Sequence, residues 1–336
     1  MHQTILVTGC AGFIGSNFCK QFKQISPNVT IIGLDDFSTG RRDALDSSVT
    51  LFEGSILDRT LLKKIFEKHK PQYVFHFAAL PRVSYSVEHP AETTAANILG
   101  TVQLLDQSRL HKVKRFIFSS SSSVYGGAKQ LPTREADNPP NPQSPYALQK
   151  YTCEPFCQMF SKLYGLDTVC LRYFNVFGPG QYGDAPYSTV VSAWLEALYF
   201  PKADKKPFLE GDGSQSRDFC YVDNVVQANL AAMEYDGKLG GEVFNIGHGE
   251  RTSLLEVRDL IEKETRRKLG LESRPPRVGD VAHTQADISR ARKVLGYKPT
   301  VGFAEGLKRT VAWYNERLTS QSTSKKETAR LIESNG

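Results

Sequence analysis

The sequence predicts an α/β protein: a doubly wound, parallel, Rossmann-type sheet with a smaller C-terminal α+β region that binds substrate. Three observations carry that expectation. Short unbroken apolar runs alternate with longer stretches of helical periodicity, the pattern of a parallel sheet covered by helices on both faces. A glycine-rich turn, "VTGCAGFIGSN", joins the first apolar run to the first helical stretch. An acid, Asp35, ends the second apolar run 20 residues after Gly15.

Strands are expected at 4–9, 29–35, 49–54, 73–79, 115–121, 168–178 and 242–247, with helices near 13–25, 59–70, 94–111 and 146–164. Right-handed crossovers between parallel strands distribute those helices over both faces of one sheet. Beyond about 180 the regularity fades: "GPGQYGDAPYS" reads as loop, a helix follows near 188–199, and "FPKADKKP" reads as loop again. Residues 1–178, with 242–247 returning to them, form the Rossmann domain. Residues 179–318 form mainly the substrate-binding region, and 319–336 are a polar tail expected to fray. Pro155 lies inside the helix expected at 146–164. A mid-helix proline removes a backbone hydrogen bond at a cost of ~3 kcal/mol, here from the Tyr151 carbonyl, so a kink is expected just after Lys150.

Composition narrows the function. The 336 residues suffice for a sizeable core, and 40% apolar with 23% charged residues is ordinary for a soluble globular protein. The net charge of +6 is dispersed over short clusters such as Lys63-Lys64, Lys205-Lys206 and Arg266-Arg267-Lys268. No basic and aromatic stripe accompanies them, so no nucleic-acid partner is expected and small anionic ligands fit better. The six cysteines form no CxxC and no zinc-ligand spacing, so no metal is expected, and buried free thiols imply a reducing compartment. The N-terminus lacks the layout of a signal peptide and no apolar stretch is long enough to span a bilayer. A cytoplasmic protein with no membrane partner is therefore expected.

Gly9, Gly12 and Gly15 stand in G-x-x-G-x-x-G spacing. Glycines let the backbone turn tightly and approach a pyrophosphate, which then sits on the N-terminus of the following helix. Asp35 stands where a carboxylate accepts hydrogen bonds from ribose hydroxyls, and its charge repels a 2′-phosphate, so NAD is expected rather than NADP.

Two Tyr-x-x-x-Lys pairs occur, Tyr125/Lys129 in "YGGAK" and Tyr146/Lys150 in "YALQK". Spacing alone does not choose between them; helix geometry does. On a helix, residues i and i+4 share a face, so the ammonium sits near the phenol and lowers its pKa. "SPYALQKYTCEPFCQMFSKLYG" opens as a helix should, with Ser-Pro, whereas the two glycines of "YGGAK" disfavour one. Tyr146 and Lys150 are thus the candidates. The serine run "RFIFSSSSSVYG" ends a strand at the sheet's carboxyl edge, and Ser121 and Ser123 share a strand face there, so one or both can hydrogen-bond a reacting hydroxyl.

The segments "TGCAGFIGSN", "LDDFSTG", "HFAA", "SSSSSVYG", "SPYALQKY", "LRYFNVFGPGQ", "GDGSQSRDFCYVDN" and "RVGDVAHTQADISRA" run in this order from about 4 to 292. In that order they resemble the extended short-chain dehydrogenases/reductases that act on nucleotide sugars, particularly the UDP-hexose 4-epimerases. The resemblance implies NAD held by Gly9, Gly12, Phe13, Ile14, Gly15, Asp35, Asp36, Ser38, Ile56, Phe77, Ala78, Ala79, Asn97, Ser119, Tyr146, Lys150 and Tyr173. It implies a catalytic triad of Ser121, Tyr146 and Lys150, with Ser121, Ser123, Tyr146, Asn175, Arg217, Arg277, Asp280 and Thr284 on the UDP-sugar. A homodimer through the helices at 94–111 and 146–164 is implied in the same way. The family commonly has an Asp where Ser55 stands. Either the Ile56 backbone alone or Asp58 is then left for the adenine.

Family members that dehydrate or decarboxylate the sugar carry acids just before "VYG"; this chain has Ser122-Ser123, which implies simple epimerisation. Uronate 4-epimerases often read "AGVRYS" where this chain reads "LPRVSYS", so Ser84 replaces an arginine, although Arg82 is nearby. Thr284 replaces the tyrosine that closes the pocket beside the sugar C2 in glucose-restricted epimerases. That small side chain implies UDP-N-acetylglucosamine as substrate, with UDP-glucose also accepted. The alternatives are a UDP-glucuronate 4-epimerase and a non-catalytic NAD-binding scaffold.

Overall fold

The computed structural model describes residues 3–183, 189–202, 206–275 and 281–334, with side chains described as far as Ser320. Successive side chains of a strand point to opposite faces, and here both sets are apolar. In β1 (Thr4–Thr8), Ile5 and Val7 enter one cluster while Leu6 enters another, and all three are fully buried. A strand that must hide both faces belongs in the middle of a parallel sheet.

The chain continues through α1 (Phe13–Ile25), β2 (Thr30–Asp35), β3 (Val49–Glu53), α2 (Arg59–His69), β4 (Tyr73–His76), α3 (Val83–Glu88) and α4 (Pro90–Thr94). A π-helical stretch, Ala95–Leu99, joins α4 to α5 (Gly100–Leu110), followed by β5 (Arg115–Ser121), α6 (Pro145–Tyr164), β6 (Thr168–Tyr173) and β7 (Val176–Phe177). Then come α7 (Val190–Tyr199), β8 (Phe208–Glu210), β9 (Ser216–Arg217), β10 (Cys220–Tyr221), α8 (Val222–Glu234) and β11 (Glu242–Ile246). The last elements are β12 (Thr252–Ser253), α9 (Leu254–Thr265), β13 (Glu272–Arg274), α10 (Ser289–Leu295) and α11 (Phe303–Ser334).

Among the described residues, β11-β6-β5-β4-β1-β2-β3 form one Rossmann-type sheet in which every pairing is parallel. The strand order reverses between β1 and β4, and in such sheets ligands bind beyond the carboxyl ends at that point. One face packs Phe18, Phe22 and the α8 residues Val225 and Ala228 onto the sheet; Phe18 and Phe75 rings lie 4.3 Å apart. The other face packs Leu62 and Phe66 of α2, Leu104 of α5, and Cys153 and Cys157 of α6. A third cluster joins Phe177, Trp194, Phe219, Tyr221, Val257 and Tyr314 in the C-terminal region. All six cysteines are buried and free. No described helix is long and apolar enough to cross a membrane, and no described group of side chains is arranged to hold a metal.

Buried polar groups lock the elements together. Glu154 of α6, 2% exposed, accepts two hydrogen bonds from Arg172 of β6 at 2.8 and 2.6 Å and one from the Ser120 hydroxyl of β5 at 2.6 Å. Arg115 of β5 pairs with Asp167 at 2.6 Å and donates to the carbonyls of Ala232, Met233, Tyr235 and Gly237, tying the end of α8 to the sheet.

Three expectations differ in detail. The strand expected at 73–79 ends at His76, where the chain leaves the sheet to pack on the glycine loop. The run at 168–178 divides: β6 stays in the sheet, while β7 pairs with β10 instead. Helix α11 continues to Ser334 rather than fraying at 319, since "TSQSTSKKETARLIES" contains neither proline nor glycine to stop it. The helix expected at 146–164 is α6, which runs on through Pro155 on its exposed side.

Replacing Glu154 with alanine leaves Arg172 as an unpaired buried charge. Urea unfolding of Glu154→Ala is expected to show a loss of about 3–5 kcal/mol; an unchanged midpoint would show that the pair does not hold α6 in place.

Candidate active site

Gly9 follows β1 with φ +71°, and a Cβ there would come within 2.7 Å of the Ala78 amide. A Cβ on Gly15 would strike the Gly9 carbonyl. Glycines therefore let β1, α1 and the loop after β4 meet. Gly12 is the N-cap of α1 and gives it no side-chain cap, so the first-turn amides, at Phe13, Ile14 and Gly15, remain for an anion. Asp35 is 7% exposed, and its two carboxylate oxygens accept from the Ala11 and Phe37 amides, each at 2.8 Å. Burial pushes its pKa up while these amides pull it down. Each oxygen keeps a lone pair for a ribose hydroxyl. A cradle without Cβ atoms, a helix N-terminus and a ribose acceptor together fit a dinucleotide.

The neighbouring candidates divide by role. Asp36 is exposed and accepts from the Ser38 amide and hydroxyl, a surface turn beside the ribose position. Ile56 is buried against Gly100, and Ser55 accepts the Leu57 amide. Asp58 caps α2 by accepting the Leu61 amide. Phe77, Ala78 and Ala79 line the turn facing the glycine loop, half-buried. The Asn97 amide holds that turn through both backbone groups of Leu80, at 2.8 and 3.1 Å, and bonds Gln149 of α6. Ser119 and Tyr173 bond each other at 3.2 Å, and the Tyr173 hydroxyl also meets Asn229, within the core.

At the sheet's carboxyl edge the triad assembles. Ser144 caps α6 through the Ala147 amide, and the Tyr146 amide donates to Ser86 of α3 at 3.0 Å. The half-buried Tyr146 phenol hydrogen-bonds Ser121. Ser121 accepts from the amide and hydroxyl of Ser123, at 3.2 and 2.9 Å, which leaves its own proton to donate. Lys150 is 4% exposed; its ammonium donates to the Ser119 carbonyl at 2.8 Å and lies 4.9 Å from the Phe118 ring centre. Burial pushes the Tyr146 phenol up to about 12, against the Ser121 hydrogen bond, and pulls Lys150 down to about 8. The rejected pair lies elsewhere: Tyr125 is buried and donates to Asn245 at 2.7 Å, while Lys129 is exposed in a bend.

Beyond the triad, a cavity of ≈ 300 Å³ is lined by Asn175, Arg217, Trp194, Phe219 and Lys202, among others. Asn175 donates to Thr284 Oγ1 at 3.2 Å and to the Asp218 carbonyl at 3.3 Å. Arg217 donates to the carbonyls of Ser216 and Ala282. Asp218, fully buried, accepts the amides of His248, Gly249 and Ala286 and so ties the ends of this wall together. Arg277 and Asp280 lie outside the described residues.

The family described as NAD dependent epimerase/dehydratase matches residues 5–247. The chain belongs to that family. It is 39% identical to the UDP-glucose 4-epimerase of Thermotoga maritima, solved with UDP-glucose, with a TM-score of 0.88 over 94% of this chain and 100% of that one. It is 34% identical, with a TM-score of 0.85 over 94% and 99%, to the UDP-N-acetylglucosamine 4-epimerase of Methanobrevibacter ruminantium, solved with UDP-N-acetylmuramic acid. UDP-glucuronate 4-epimerase 4 of Arabidopsis thaliana is 34% identical over 353 residues, 97% of this chain and 78% of that protein.

NAD, when bound, supplies the hydride acceptor and donor of this family's chemistry. The arrangement is one that can move a proton: a phenol, Tyr146, bonded to the Ser121 hydroxyl, with the Lys150 ammonium on the same helix as a charge that favours a phenolate. Sequence reasoning missed Glu154, Gln149 and Asp218. Glu154 sits in a helix with alternating exposure and reads as a surface acid, but Arg172 inside the apolar run "TVCLRYF" was a signal that a buried partner must exist.

Tyr146→Phe is expected to lower kcat about 10²–10⁴-fold with bound NAD unchanged, assayed by turnover and by cofactor release on denaturation. Burying a charged Lys150 costs stability below about pH 8, and the cost fades as pH rises towards the ordinary lysine value of 10.5. Lys150→Met is therefore expected to melt above the wild type at pH 7, with the gap closing at higher pH in calorimetric scans.

Proposed function

We propose that this NAD-dependent UDP-sugar 4-epimerase interconverts UDP-N-acetylglucosamine and UDP-N-acetylgalactosamine and also accepts the UDP-glucose/UDP-galactose pair. Thr284 carries the reading. It is short, half-buried, and bonded to Asn175 beside the cavity. A small side chain at this position leaves room beside the sugar C2 for an N-acetyl group. A tyrosine would fill that room.

In this reading, Tyr146 takes the proton from the sugar 4-hydroxyl, with Ser121 hydrogen-bonded to the same oxygen. The 4-keto sugar turns about its diphosphate link and is reduced on its other face, with the proton returned from Tyr146. Ser122 and Ser123 offer no carboxyl group for dehydration. Asn175 and Arg217 hold the UDP, joined by Arg277 and Asp280. A UDP-uronate is the competing substrate, favoured by half-buried Arg82 at the start of α3, whose Ser86 contacts Tyr146. Residues 1–178 and 242–247 serve the cofactor and 179–318 mainly the UDP-sugar.

The active form is a homodimer. Leu99 and Leu110 around α5 and Leu148, Met159, Leu163 and Tyr164 on α6 are each about half exposed, on the two helices where the family resemblance places the contact. Six free thiols suit the cytoplasm.

Incubation with UDP-glucose, UDP-N-acetylglucosamine and UDP-glucuronate, read by NMR at C4, tests the substrate. Turnover of the N-acetylated sugar is expected, and Thr284→Tyr should abolish it while sparing UDP-glucose. Turnover of UDP-glucose or UDP-glucuronate alone would refute the assignment.

A further inference from the structure

Glu196 of α7 lines the same cavity as Asn175 and Arg217 and is only 7% exposed. On the reading above, a diphosphate occupies that space. A bare carboxylate in its wall would repel that anion strongly, because little water intervenes to screen it. The second acid of the lining, Glu210, is less buried. Arg317 of α11 meets Glu196 as a two-pronged fork: Nη1 donates to Oε2 at 2.7 Å and Nη2 to Oε1 at 3.0 Å. Arg317 is not itself part of the cavity lining. Its guanidinium is packed 4.4 Å from the Tyr182 ring centre and 4.3 Å from that of Phe200, with Trp313 and Tyr314 just beyond. So confined, it stays behind the wall. The Gly183 amide also approaches Glu196 Oε2, at 3.4 Å.

We propose that Arg317 is a positioning residue for the nucleotide diphosphate: it cancels the Glu196 charge and holds that carboxylate back, leaving Arg217 and Lys202 to set the sign of the cavity. The proposal rests on the cavity being the UDP site. It makes a residue of the last helix, far along the chain from the triad, a determinant of ligand affinity. An Arg suits the task because its planar fork satisfies both carboxylate oxygens at once and its charge does not titrate.

The test is binding of UDP and of uridine to the NAD-loaded full chain, by calorimetry for UDP and ligand-observed NMR for uridine. Arg317→Met is expected to weaken UDP about tenfold or more and to leave uridine, which carries no phosphate, unchanged. Adding Glu196→Gln to that variant should return UDP affinity to within about threefold of wild type, since the exposed charge is then gone. Arg317→Lys, which keeps the charge, should hold UDP within a similar margin and serves if Arg317→Met fails to fold. Unchanged UDP binding in Arg317→Met, equal loss of uridine and UDP, or failure of Glu196→Gln to restore affinity would overturn the proposal. Wild-type protein that binds no UDP would instead overturn the reading of the cavity.

Discussion

The site depends on how helix α6 lies across strands β5 and β6. Tyr146 and Lys150 are on that helix, while Ser119 and Ser121 are on β5, so a slip of either element separates the triad. Three buried polar contacts prevent the slip. Lys150 grips the Ser119 carbonyl, Glu154 grips Arg172 and Ser120, and Gln149 reaches Asn97 and through it the turn after β4. Because a buried ion pair is costly to separate, it fixes one register even where its net contribution to stability is small. The Ser120 hydroxyl, which does no chemistry, is thus part of what aligns its neighbour Ser121.

The same burial that orders these groups sets their electrostatics. The phenol of Tyr146 is driven away from ionisation and the ammonium of Lys150 is driven towards neutrality. Both shifts act against the charged forms that proton transfer requires. A phenol so placed is weakly ionised by itself, and positive charge beside it would make it a better proton acceptor. Asp35, likewise desolvated, is held by two amides at the end of β2.

Much of this was legible in the sequence because the governing constraints are local. Glycine spacing, the acid at the end of β2 and the i,i+4 relation of Tyr146 to Lys150 depend on a few adjacent residues. So does the rejection of Tyr125, whose two following glycines end its short helical turn at Gly126. Contacts between distant elements were not legible. Nothing in the pattern around Asn97 announces that its amide bonds Leu80 and Gln149. The same holds for the bonds of Tyr173 to Ser119 and Asn229. The continuation of α11 was missed because polarity was read as fraying, whereas helix propensity without a breaker carried the chain on.

The central claim is that Tyr146 is the base and that Lys150 and NAD together make it one. The most direct measurement is the ionisation of the Tyr146 phenol in NAD-loaded protein, followed by phenolate absorbance with Tyr146→Phe as the blank. The account predicts ionisation far below the value of about 12 set by burial alone, and an upward shift when Lys150 becomes methionine. A phenol that still titrates near 12 with NAD bound, or one indifferent to Lys150→Met, would contradict it.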